Sequence, residues 1–190
     1  MANPPVDRIL DALWTDEPPN SRNIWVILDA ARHPSIYSAV RYTSSEKCCL
    51  YSGDLPGSLA MAAPYLVQVS KDDRLTKQIV SQGWGDSWGV FFRCDTSLAT
   101  VRRHLRRFLV VQDQRGKRLV FRYYDPRVLR NYLVTCSPQE VQTMFGPIQQ
   151  FMSEGRDPET LLRFGVAGGK LTQEICHLST METRPWAAAQ

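Results

Sequence analysis

Apolar positions recur along the chain with two different periods, and the switches between them mark out its elements. Val6, Ile9, Leu10, Leu13 and Trp14 are spaced three and four apart, which predicts an amphipathic helix over 6–14. Pro18 and Pro19 break the chain, and the uninterrupted apolar run at 24–28, ending at Asp29, predicts a buried strand. A short helix over 34–41, a strand within 48–53 and a strand over 65–69 follow, the last two separated by a loop or helical turn. Residues 72–82 predict a helix with Leu75, Ile79 and Val80 inward and Ser70 and Asp73 at its start; 90–93 predict a strand. The clearest stripe is Leu98, Val101, Leu105, Phe108 and Leu109, a helix over 97–109. Residues 110–124 predict a β-hairpin turning near 114–116.

Asp125-Pro126 is a helix start, because Asp caps and Pro suits the first helical position. Ser137 and Glu140 form a capping box for a helix over 138–152, kinked at Gly146-Pro147. Beyond Gly155 the periodicity fades. There the chain predicts a short helix around 158–164, a flexible break at Gly165, Gly168 and Gly169, and a last helix from Lys170 that frays before Pro185. Strands separated by helices, with one hairpin, predict an α/β mixed (α+β) fold: a central mixed β-sheet flanked by helices. Residues 1–152 form the α/β domain and 153–190 a small helical C-terminal extension.

Composition narrows the function classes. In 190 residues, 43% are hydrophobic and 22% charged, ordinary for a globular protein. No apolar run approaches a membrane span, and the acidic Asp7 and Asp11 do not suit a signal peptide, so a cytoplasmic location is expected. Five cysteines without C-x-x-C spacing and three scattered histidines predict reduced thiols and no metal site. Phosphate-cradling glycine motifs are missing, which predicts no nucleotide cofactor.

The stretch GDSWG matches G-x-S-x-G, with Ser87 as nucleophile and Asp125 and His177 downstream in hydrolase order. The context is reversed. A nucleophile elbow lies between strand and helix, whereas this motif follows a helical pattern and precedes a strand-like run. A structural role accounts for more of its letters: Gly83 ends the helix in a left-handed conformation, Gly85 and Gly89 allow tight turns, and Ser87 needs only a local backbone hydrogen bond. Trp84 and Trp88 either fill the sheet–helix junction or lie partly exposed for a partner. Arg102, Arg103, Arg106 and Arg107 lie off the apolar stripe of their helix. They suit a solvated face, an acidic protein or, as an alternative, nucleic acid. The run FRYYDPRVLR concentrates the aromatic and arginine side chains that dominate interfaces.

Six stretches, in order, are more specific together than any alone: WVILDAAR (25–32), APYLVQV (63–69), GWGDSWGVFFR (83–93), LRRFL (105–109), FRYYDPRVLR (121–130) and FGPI (145–148). Over about 23–152 the chain resembles the type VI secretion effector adaptors, also called effector chaperones. The resemblance implies a bacterial, cytoplasmic, non-enzymatic protein that binds a toxic effector and helps load it onto the VgrG spike, without nucleic acid. Such adaptors often carry a longer C-terminal lobe. Here only 38 residues (190 minus 152) follow, including Arg184 and Trp186, so cargo choice by a large second lobe is not expected. Trp84, Trp88, Asp125, Arg127 and Arg130 are the expected partner contacts, and reversing the charge of Arg127 and Arg130 is expected to weaken binding with the fold intact.

Overall fold

The computed structural model describes residues 4–15, 23–113 and 115–185. The Pro18-Pro19 break, Gln114 of the hairpin turn and Trp186 lie outside the described residues. In chain order the elements are α1 (Val6–Trp14), β1 (Ile24–Asp29), α2 (Pro34–Tyr42), β2 (Lys47–Cys49), α3 (Gly57–Ala60), β3 (Pro64–Val69), α4 (Arg74–Gly83), β4 (Gly89–Arg93) and α5 (Leu98–Arg106). There follow β5 (Val110–Gln112), β6 (Arg118–Val120), α6 (Pro126–Leu133), α7 (Pro138–Phe145), β7 (Gln150–Glu154), β8 (Thr160–Ala167), β9 (Lys170–His177) and β10 (Glu182–Pro185). The class is α+β, as expected.

Eight strands form one sheet in the order β10-β9-β8-β7-β4-β1-β3-β2, and β5–β6 stands apart as a two-stranded hairpin. Every pairing in the sheet is antiparallel, so the expectation of a mixed sheet is corrected. The physical reason lies in the crossovers. The helix between β3 and β4 does return the chain parallel to itself, but β1 is inserted between those two strands. In the same way β3 separates β1 from β2.

All six residues of β1 are buried, which explains its unbroken apolar run. Alternation along it feeds two cores. Ile24, Val26 and Leu28 pack with Ile9, Leu10 and Leu13 of α1, Ile36 and Val40 of α2, and Leu75 and Ile79 of α4. Trp25 and Ile27 pack with Val101 and Leu105 of α5, Leu129 and Leu133 of α6, and Val141 and Met144 of α7. The result is three layers, with helices on both faces of the sheet.

The C-terminal region departs from expectation. It is not helical: 160–167 and 170–177 are the two strands of a long hairpin, and β10 pairs with β9. Gly168 and Gly169 form its two-residue turn, with φ of 57° and 77°. Two consecutive positive φ values match the twist of a hairpin, so these glycines make a tight turn rather than a flexible break. The predicted helix over 138–152 stops at Phe145, because Gly146 (φ 50°, ψ −113°) turns the chain toward β7. The boundary at 152 falls inside β7, a strand of the eight-stranded sheet.

Two buried arginines moor α1. Arg93 of β4 donates to the carbonyls of Leu13 (2.7 Å) and Thr15 (3.2 Å), and Arg163 of β8 to that of Ala12 (2.8 Å). These carbonyls have no partner inside the helix, and the negative end of its dipole favours cations there. No helix among the described residues is long and apolar enough to cross a membrane.

Candidate partner-binding site

Three of the stretches singled out in the sequence, 25–32, 83–93 and 121–130, come together at the end of the sheet where β1 finishes and β4 begins. Each letter of the 83–89 loop has a structural task. Gly83 is helical, and a Cβ on it would lie 2.5 Å from the Trp88 ring. Its role is close packing, which corrects the expected left-handed helix end. The Trp84 indole donates to the carbonyl of Pro158 at 2.8 Å. Gly85 takes φ 89°. Asp86 offers its carbonyl to the Arg32 guanidinium at 2.8 and 3.2 Å. The Trp88 carbonyl accepts from the Asp29 N–H at 2.8 Å, and its ring stacks on His33 with centroids 5.2 Å apart. A Cβ on Gly89 would lie 2.2 Å from the Ile27 carbonyl oxygen across the β1–β4 ladder. Trp84 and Trp88 are both buried, so they fill the junction and are not surface anchors.

Ser87 adopts φ 57°, a left-handed conformation uncommon for serine. Glu154 at the end of β7 over-determines it. One Glu154 oxygen accepts the Ser87 N–H at 2.9 Å and its hydroxyl at 3.2 Å, and the other accepts the Gly85 N–H at 2.6 Å. This corrects the expected purely local bond of Ser87. Burial raises the Glu154 pKa above its ordinary value, against the pull of these three donors. Ser87 is only 5% exposed, and among the described residues it is not hydrogen-bonded to Asp125 or His177. His177 closes the β8–β9 and β9–β10 ladders opposite Thr160 and Glu182.

Asp125 caps α6 through the Arg127 N–H at 2.9 Å, and its two oxygens take the Arg127 guanidinium at 3.0 and 2.6 Å. Burial works against its charge, but the bonds and charge of Arg127 outweigh it and hold the carboxyl below the usual range. Asp29, also buried, pairs with Arg122, whose pKa is raised by that bond. Arg130 is half-buried, and its Nη1 has no hydrogen-bond partner among the described residues; burial lowers its pKa, Glu154 opposes that, and Arg156 reinforces it.

The pattern is consistent. Asp29, Asp125 and Glu154 are buried, whereas Arg32, Arg122, Arg127 and Arg156 are exposed. Carboxylates lie beneath and guanidinium groups above. Each paired arginine is held on one side and keeps donors for solvent or a ligand, since a guanidinium carries five N–H groups. This preorganised surface suits carboxylates or carbonyls presented by another molecule.

Of the residues singled out from sequence, Asp125, Arg127 and Arg130 belong to this face. Asp29, Arg32, Arg122, Glu154 and Arg156 were missed; their spacing along the chain carries no local signal of proximity. Reversing the charge at 127 and 130 would set carboxylates against Asp125 and Glu154, so it is not neutral for the fold.

Residues 24–143 match the DUF4123 family, described as a domain of unknown function, and the chain belongs to that family. The match runs from β1 into α7 and includes the 83–89 loop and the start of α6, but not Glu154. No curated protein and no solved structure matches the chain.

Proposed function

We propose that this protein is a non-enzymatic adaptor of the bacterial cytoplasm that binds a type VI secretion effector and helps load it onto the VgrG spike. The observation that carries the reading is the face of arginines held over buried carboxylates, to which three of the stretches resembling effector adaptors, 25–32, 83–93 and 121–130, contribute. Membership of DUF4123 supports it. The serine-hydrolase alternative draws no support from Ser87, whose hydroxyl is engaged by Glu154. Binding through this face needs neither metal nor nucleotide.

Co-purification with the neighbouring toxin and spike proteins tests the reading. A stable complex is expected, and Arg127→Gln with Arg156→Gln should weaken it by roughly tenfold while the melting temperature moves by a few degrees at most. Recovery of the protein alone, with those neighbours soluble, would overturn it. Labelling of Ser87 by a fluorophosphonate would return the enzyme reading.

A further inference from the structure

The β5–β6 hairpin lies outside the eight-stranded sheet, and all six of its ladder residues are exposed. Four of them are aliphatic: Val110, Val111, Leu119 and Val120 are 43%, 38%, 41% and 59% exposed. The register sets Val110 opposite Val120 and Val111 opposite Leu119. Directly opposed residues share a face, so the ribbon shows an apolar pair on each side. A two-stranded ribbon is marginal in water without a layer to pack on, and a clustered aliphatic surface rimmed by charge marks an interaction site.

The rim has one sign. Between residues 98 and 120 there are seven Lys and Arg and one acid, Asp113; the net charge of +6 (seven minus one) exceeds the +4 of the whole chain. Asp113 is occupied within the turn, where it accepts the N–H groups of Arg115 and Lys117. On α5, Arg102 is tied to the carbonyls of Cys49 and Tyr51, and Arg106 to the Ser52 hydroxyl. Arg103 and Arg107 are exposed, one helical turn apart, and lead directly into β5.

We propose that the hairpin, with Arg103 and Arg107, is a docking surface for an acidic, aliphatic-rich segment of a partner protein. It is independent of whatever the arginine–carboxylate face binds. Charge alone would also suit nucleic acid, but single strands are gripped by aromatic stacking, and the hairpin ladder carries no aromatic residue. Acidic side chains answer the rim, and aliphatic ones cover the ribbon.

Fluorescence anisotropy of the full chain with a short labelled peptide of alternating Glu and Val tests this, beside a Glu–Ser peptide and single-stranded DNA of equal length. The Glu–Val peptide should bind, with the Glu–Ser peptide and the DNA roughly tenfold weaker. Leu119→Ser with Val120→Ser, and separately Arg103→Glu with Arg107→Glu, should each lower affinity several-fold, whereas Arg127→Gln with Arg156→Gln should leave it unchanged. The arginine pair is solvent-exposed and decides the matter if the hairpin variant loses its fold. Equal binding of the two peptides, tighter binding of DNA, no binding of the Glu–Val peptide, or full affinity in the Arg103/Arg107 variant would overturn the proposal.

Discussion

Glu154 accepts three donors from a loop 67 to 69 residues earlier in the chain, and that concentration makes it the most consequential single side chain at the candidate site. It fixes a serine in a conformation that on its own is disfavoured by about 1 kcal/mol or more. Replacing Glu154 by Gln keeps the shape and one acceptor oxygen but turns an amide N–H₂ toward a backbone donor. A buried donor left without an acceptor costs about 1–3 kcal/mol, so Glu154→Gln should lower unfolding stability by that amount in urea titration. An unchanged urea midpoint would mean that the loop holds itself. This residue was not legible in the sequence, where it is one acid among scattered acids. The glycines of the loop were legible as turn formers, and GDSWG fits a hydrolase pattern by residue type alone: Gly85 is there for a positive φ and Gly89 for its approach to the Ile27 carbonyl. What distinguishes Gly83 is the Trp88 ring 2.5 Å from its absent Cβ, a tertiary contact no local pattern shows.

At the scale of elements, the helices were readable because their signals are local: Ser97, Asp125 and Ser137 each cap a helix with their own side chain, and Ser137 with Glu140 completes the expected box. Strand β8 was not readable, since its first five residues are all buried, Thr160 and Arg163 included, so Leu161, Leu162 and Phe164 show no period-two alternation to distinguish a strand from a helix. One contact between elements has a pH dependence. His104 of α5 donates from Nε2 to the Met144 carbonyl of α7 at 2.9 Å, and Gly146 leaves room for its ring. Burial, with Arg107 adding to it, depresses the His104 pKa below its ordinary value of about 6.5. The unfolded chain therefore takes up this proton before the folded one. The stabilisation is complete above the unfolded pKa and is lost over the interval in which pH falls from there through the folded one. His104→Gln retains a donor and does not titrate, so its urea midpoint should fall less than the wild type's over that interval. Parallel falls would assign the acid sensitivity elsewhere.

Across the whole molecule, the segments on either side of the family match are bound to each other and to the matched part. The core beneath α1 combines Ile9, Leu10 and Leu13 with Met152, Leu161, Cys176 and Leu178. Arg8 of α1 donates to the carbonyls of Leu178 and Ser179, and Arg163 of β8 moors the end of the same helix. Trp84 reaches the Pro158 carbonyl and Glu154 holds the loop beside it. A chain cut after residue 152 would end inside β7, strip β8 from the edge of what remains of that strand, and remove the Arg163 mooring of α1, the Leu178 and Ser179 acceptors of Arg8, the Trp84 acceptor and Glu154 together. Losses that share one core do not add independently; they act on a single cooperative unit. The cut chain should therefore lose the sharp thermal transition and the near-ultraviolet tryptophan signal of the full chain, and bind a hydrophobic dye, as expanded states do. The full chain should unfold in one step by both far- and near-ultraviolet circular dichroism. A cut chain that keeps a sharp transition and the native tryptophan signal would show instead that the family domain stands alone, with β8–β10 an accessory laid against its edge.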